Sequence, residues 1–251
     1  MKSHFLQYYG VTCAISNLKR KNYCPPTRGV TTDTKNLLAS REFCKLAYRM
    51  FLTQSTSAPC KSQGKWLADC KALGFDTIDW SKSYTVAFLC TNESKLRIFQ
   101  FKLLHRKLAT NCFLFKIGIV ANDQCTFCKA SSETLLHLFW DCPVVKSFWN
   151  EIGTWMRNSS CFPNQDFSFL SCIGFVNDTT NLLFHHALLI ARYHIYYSKT
   201  MSFHPSRELF FQIMLNCLDY ERRYAVKTGS LTNFNVKRGA SGAPGSIYSG
   251  K

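Results

Sequence analysis

Cys125, Cys128, His137 and Cys142 follow one another in the pattern C-x2-C-x8-H-x4-C. A tight Cys-x-x-Cys turn presents two thiolates to one ion. A histidine and a cysteine arriving further along complete a closed tetrahedron with no position left for a reacting water. That is the chemistry of one structural zinc ion, Zn2+. The chain holds thirteen cysteines, enough for two to fall together by chance. The His-x4-Cys half nevertheless lies in register downstream, and the contexts of the redox and deaminase readings are missing. A zinc deaminase needs His-x-Glu followed by Pro-Cys-x-x-Cys; here the cysteine pair comes first, and His137-Leu138-Phe139 has no glutamate.

A second chemistry lies just upstream. Lys95, Lys102 and Arg106 read as a narrow basic stripe on a helix, assisted by Lys107 and Lys116, and no acidic residue occurs from Lys95 to Asn122. The stripe is the best local site for phosphate contact, against the plainer reading of a solvated helix face. Catalytic carboxylates are harder to find. Polymerase and nuclease chemistry need clustered carboxylates on Mg2+, and the nearest pair, Asp76 and Asp79, reads as a turn or cap. Gly-rich phosphate loops, His-Glu-x-x-His and nucleophile elbows are missing from the sequence. No catalytic residue is assigned, no small-molecule substrate is expected, and the chain reads as a binding module, not an enzyme.

The elements that must position these residues are helical. Ile98, Phe101, Leu104 and Leu108 share one face of a helix over Lys95 to Leu108. Thr110 and Asn111 cap a short helix from Cys112 to Lys116 that ends at Gly118. Ser131 or Ser132 with Glu133 and Thr134 opens a third helix that carries His137. Cys142-Pro143 marks a break, and a fourth helix takes Val145, Phe148, Trp149, Ile152 and Trp155 into the core. Downstream, Leu182, His186, Leu189, Tyr193 and Tyr197 line one long helix. Leu209, Ile213, Cys217, Tyr220 and Tyr224 line another, with Pro205 near its start. The two should pair antiparallel and stack on the zinc unit, because the connection from Lys199 to His204 is short. His185, His186 and His194 read as core or surface fillers, not as a second metal site. Upstream the signals weaken: a helix from Thr34 to Leu52, a short helix around Trp66, and an extended segment from Thr85 to Leu89. The expected fold class is mainly α, a helical bundle with a small CCHC zinc knuckle inserted between helices. The expected divisions are residues 1–90 as connector and linker, 91–160 around the metal, 161–228 as a helical pair, and 229–251 as a disordered tail.

Charge and composition narrow the partners. Thirty-one Lys and Arg oppose fifteen Asp and Glu for a net +16, which points to a polyanion, RNA or DNA. An odd cysteine count scattered through apolar segments, with no N-terminal signal h-region, argues for a reducing compartment, nuclear or cytoplasmic, and against secretion. The sequons at Asn92, Asn158 and Asn177 are then incidental. No apolar run is long enough to cross a bilayer, so no membrane partner is expected.

The run from Leu103 to Asn111, then Leu114 to Ile119, Cys125 and Cys128, Glu133 to Trp140, Cys142 and Phe148-Trp149 together resembles the reverse-transcriptase zinc-binding domain found in polyproteins of LINE-type, non-LTR retrotransposons. The match is specific over about Lys95 to Trp155, with weaker likeness on both flanks. The resemblance implies that Cys125, Cys128, His137 and Cys142 are the metal ligands, and that Arg106, Thr110 and Asn111 stand in the family's Arg-x-x-Thr-Asn segment. It implies a region downstream of an endonuclease and a reverse transcriptase that helps bind the element's RNA or the target DNA during target-primed reverse transcription, with the reverse transcriptase domain as a further partner. The paired-aspartate polymerase motif and the endonuclease constellation are missing, so the resemblance also implies a truncated or decayed copy, with a protein-docking zinc module or a non-functional remnant as the alternative to nucleic-acid binding.

Overall fold

The computed structural model describes residues 60–159, 161–162 and 167–237. The helix expected at Thr34 to Leu52, the upstream linker and the last fourteen positions of the tail lie outside them. The described residues are mainly helical. They form α1 (Lys61–Ala72), α2 (Trp80–Cys90), α3 (Ser94–Leu104), α4 (Asn111–Lys116), a π-helical turn (His137–Asp141), α5 (Pro143–Asn158), α6 (Phe169–Ile173), α7 (Leu182–Thr200), α8 (Arg207–Lys227) and α9 (Leu231–Lys237). No strand occurs among them, and the one isolated bridge joins Gln124 to Ser132.

The core is organised on α7, which packs against α2, α3, α6, α8 and the π-helical turn. Its burial is nearly all-round, extending from Leu183 and Leu188 to His186, Arg192, His194 and Lys199. An apolar helix of this kind is stable only when surrounded. The polar members are accommodated by hydrogen bonds: His185 Nε2 lies 2.6 Å from the Asp178 carbonyl, Arg192 donates to the Ser171 carbonyl at 2.9 Å, and the Ser206 N–H donates to His194 Nε2 at 3.1 Å. His185 and His194 are thereby held by backbone groups, and His186 is buried in the same helix. Gly174 ends α6 with φ +103, and a Cβ there would fall within 2.5 Å of the Gln100 amide, so both conformation and space require glycine.

Several expectations are corrected. Thr85 to Leu89 is helical, because Asp79 caps α2 by accepting the Lys82 N–H at 3.0 Å and Ser83, Val86, Ala87 and Cys90 form its buried face. That face is built of small side chains, so it carries little hydrophobic periodicity. Helix α3 stops at Leu104 and buries Leu96, Phe99, Gln100, Leu103 and Leu104, whereas Ile98 and Phe101 are more than half exposed. Apolar residues occupy more than one face of the helix. Burial of Gln100, whose amide donates to the Gly174 carbonyl at 3.1 Å, selects the other face. In α8 the buried set is Phe210, Met214, Cys217, Glu221 and Ala225, while Tyr220 and Tyr224 are exposed. The wheel is turned by about one residue from the expected stripe, and Glu221 is the reason. Its carboxylate accepts from Thr91 Oγ1, from the Asn92 backbone at 2.6 Å and from Asn92 Nδ2, fixing the α2–α3 junction. Leu189 is buried, and Tyr193, Leu209 and Ile213 are partly so, which agrees with packing between α7 and α8. Beyond Gly229 the expected tail begins as a helix, α9, packed on α8.

Candidate metal centre

The four predicted ligands converge. One donor atom from each of Cys125, Cys128, His137 and Cys142 lies within 4.8 Å of all the others. Cys125 Sγ and Cys142 Sγ are 3.8 Å apart, and Cys128 Sγ is 3.3 Å from His137 Nε2. In a tetrahedron with Zn–S near 2.3 Å and Zn–N near 2.0 Å, the S–S edge is about 3.8 Å and the S–N edge about 3.5 Å. The donor set thus has the shape and softness of a closed site for one zinc ion. Among the described residues no other group of three or more such side chains gathers in this way.

The backbone explains the spacing on both sides of the ion. Around the first pair, the Cys125 N–H donates to the Ser131 carbonyl at 2.8 Å, the Glu133 N–H to the Asp123 carbonyl at 2.7 Å, and the Lys129 N–H to the Cys125 carbonyl at 3.1 Å. Lys129 takes the left-handed conformation, φ 56, that closes this small loop. The Phe127 N–H points at Cys125 Sγ at 3.4 Å, which orients the sulfur. On the second side the Cys142 N–H donates to the His137 carbonyl at 2.9 Å, a five-residue hydrogen bond. In an α-helix two residues five apart point roughly 140° away from each other. The wider π turn, with about 4.4 residues per turn, brings them to the same side. Trp149 Nε1 donates to the Phe139 carbonyl at 2.7 Å and so ties the turn to α5.

Burial and charge around the sulfurs are uneven. Cys125 and Cys142 are fully buried, whereas Cys128 is half-buried. The hydrogen bond from the Cys125 thiol, with backbone N–H groups of Val145 and Val144 at the start of α5, pulls the Cys142 thiol down to about 7. Donation to Cys142 and burial push the Cys125 thiol up. Zinc supplies the positive charge that lets buried sulfurs be thiolates together, so metal binding and folding of this segment are linked.

Glu133, read from the sequence as a helix opener, does more than that. Its carboxylate is fully buried and accepts the Asn111 N–H at 2.9 Å and the Thr126 N–H at 2.7 Å. Lys199 Nζ, from the end of α7, lies 3.4 Å from it and also donates to the Ala109 carbonyl at 2.8 Å. Asn111 Nδ2 donates to the Gln124 carbonyl at 2.7 Å. One carboxylate therefore joins α4, the Cys-x-x-Cys loop and α7. The sequence signal for it was a lone glutamate between the cysteine pair and the apolar run that carries His137.

The predicted phosphate contacts separate into two groups. Arg106 lies past the end of α3 with φ 55, pairs with Asp69 at 2.6 Å and stacks over Trp66 at 4.3 Å. Lys95 pairs with Glu93 at 2.6 Å and sits 5.7 Å from the Tyr193 ring centre. The expected helical stripe of Lys95, Lys102 and Arg106 is therefore broken: the helix ends before Arg106, and two of its three members are engaged within the protein. Lys102, Lys107 and Lys116 are exposed and have no ion-pair partner among the described residues.

Geometry and ligand chemistry define a helical unit with one structural zinc site. Residues 76–149 match the protein family described as zinc-binding in reverse transcriptase, a span that contains all four ligands. No curated protein matches the chain. Among the described residues no helix is long and apolar enough to cross a membrane.

Proposed function

We propose that the chain is a nucleic-acid-binding, zinc-stabilised segment of a retrotransposon reverse transcriptase of the LINE type. It holds RNA or target DNA during target-primed reverse transcription and performs no polymerase or endonuclease chemistry itself. In this reading the zinc knuckle is inserted into a helical bundle and fixes the surface around it; the protein works in the nucleus or cytoplasm. The observation that carries the reading is the basic run beside the knuckle. Lys102, Lys107 and Lys116 are exposed within an acid-free segment of a chain of net charge +16, and the match to a reverse-transcriptase zinc family spans that segment.

A second reading has its own support. Phe88, Ile98 and Phe101, on α2 and α3, are each more than half exposed, which suits docking of a reverse transcriptase domain or another protein. Salt dependence separates the two. Each phosphate contact adds about 0.7 to 0.9 to the slope of log affinity against log salt, and an apolar docking face adds little. We expect Lys102→Ala/Lys107→Ala to bind RNA and DNA more weakly with a slope smaller by about 1.4 to 1.8. Arg106→Ala should destabilise the fold through Asp69 and Trp66 while leaving that slope unchanged. Parental affinity and slope in the double lysine variant, with zinc retained, would favour the docking reading.

A further inference from the structure

Helix α4 is anchored firmly yet presents an apolar, cationic surface to solvent. Thr110 caps it by accepting the Phe113 N–H at 3.3 Å, and Asn111 fastens it to Glu133 and to the Cys-x-x-Cys loop. None of its residues is buried. Phe113 is 52% exposed, Phe115 50%, and beyond the helix Ile117 is 52% and Ile119 66% exposed. At about 100° per residue, Asn111, Cys112 and Leu114, which are half-buried, mark the inward side. Phe113 and Lys116 share the outward side, about 60° apart, and the exposed Phe115 ring lies further round the helix. Neither ring packs against another aromatic ring among the described residues, and Lys116 has no ion-pair partner there.

A monomeric protein gains nothing by holding two phenylalanines in water on a helix immobilised by a metal knuckle and a buried carboxylate, so this surface is built to be covered. Its charge indicates by what. The segment from Lys95 to Asn122 carries no acidic residue, and Lys116 is exposed on the same short helix as the two exposed rings. A duplex offers phosphates but hides its base faces in the stack. An unpaired strand offers both at once, phosphate to an ammonium and base faces to aromatic rings. We infer that α4 is a single-strand-binding element: Lys116 contacts the phosphate backbone, and Phe113 and Phe115 stack on unpaired bases of RNA or DNA. This rests on the nucleic-acid reading above and adds to it the class of ligand.

The test uses the full zinc-loaded chain, with fluorescence anisotropy of labelled oligo(U), oligo(dT) and a duplex of equal length. Phe113→Leu/Phe115→Leu keeps apolar bulk and removes the aromatic faces; Phe113→Trp/Phe115→Trp keeps the faces. Stacking is worth about 1 to 3 kcal/mol per base, so with two rings lost the leucine variant should bind single strands at least about 30-fold more weakly, with duplex affinity little changed. The tryptophan variant should stay near the parent. Both substitutions are on exposed positions, and zinc content with the helical signal verifies the fold. Parental single-strand affinity in the leucine variant, or an equal loss for duplex and single strand, overturns the inference while leaving nucleic-acid binding in place and assigns the rings to a protein partner. If the parent binds no polynucleotide, the nucleic-acid reading itself falls, and this inference with it.

Discussion

Replacing Glu133 tests whether one buried carboxylate couples the metal loop to the helical core. Glu133→Ala leaves the N–H groups of Asn111 and Thr126 without their acceptor, at about 1 to 3 kcal/mol for each buried donor. It also leaves Lys199, whose side chain is only 8% exposed, without its counter-ion, and removing one partner of a buried pair costs about 3 to 5 kcal/mol. These costs overlap, since Lys199 keeps the Ala109 carbonyl and water can reach the loop, so the expected loss is about 3 to 5 kcal/mol. Lys199→Met should cost less, because Glu133 keeps its two backbone donors. In a double-mutant cycle, Glu133→Gln with Lys199→Met should lose less than the sum of the single changes, with a coupling of about 1 to 3 kcal/mol. The assay is chemical denaturation with zinc present, together with competition for zinc by a chromophoric chelator. Thr126 lies between two ligands, so zinc affinity should fall together with stability. A loss below about 1 kcal/mol in Glu133→Ala, or additive single variants, would refute the coupling.

Metal analysis should find one zinc per chain, and chelation or Cys128→Ser should raise hydrogen exchange between Ile119 and Trp149 more than in the middle of α7; unchanged exchange after complete zinc removal contradicts a structural role. Acid should weaken the α7–α8 junction through His194. Burial lowers its pKa from 6.5 to about 4, so above pH 6.5 its contribution is intact, and as pH falls from 6.5 to 4 the unfolded chain takes up the proton first. The penalty is roughly 2 kcal/mol by pH 5 and about 3 kcal/mol at pH 4. In His194→Gln that part of the pH dependence should vanish from denaturation midpoints, and identical pH profiles in the two proteins would count against it.

The metal ligands were legible because their information is local: two short spacings and the residue types suffice to define a tetrahedron. The short helix α4, its Thr110 cap and the proline-started α5 were legible for the same reason. The buried faces of α3 and α8 were not. In α3, apolar residues occupy more than one face, and the choice between them is made by Gln100 meeting Gly174, a partner remote in sequence. In α8 the choice is made by Glu221 reaching the start of α3. Polar residues that local patterning assigns to the surface thus fix which way each helix turns. The basic stripe failed by the same physics, because Asp69, which captures Arg106, is supplied by another helix.

The π turn between His137 and Cys142 has a consequence for which length changes the chain can tolerate. Upstream of it, rotational phase is set by the ion; downstream, Pro143 starts α5 at once, and Val145, Phe148, Trp149 and Ile152 need their own phase to meet the core. The surplus residue in the wide turn reconciles the two. Deleting one residue between Leu138 and Asp141 would restore an ordinary helical turn and improve local backbone geometry, yet it would shift the second half by roughly 100° relative to the first. The chain would then have to give up either the zinc or the seat of α5. Side chains in this stretch are free to change where packing allows, but its length is not.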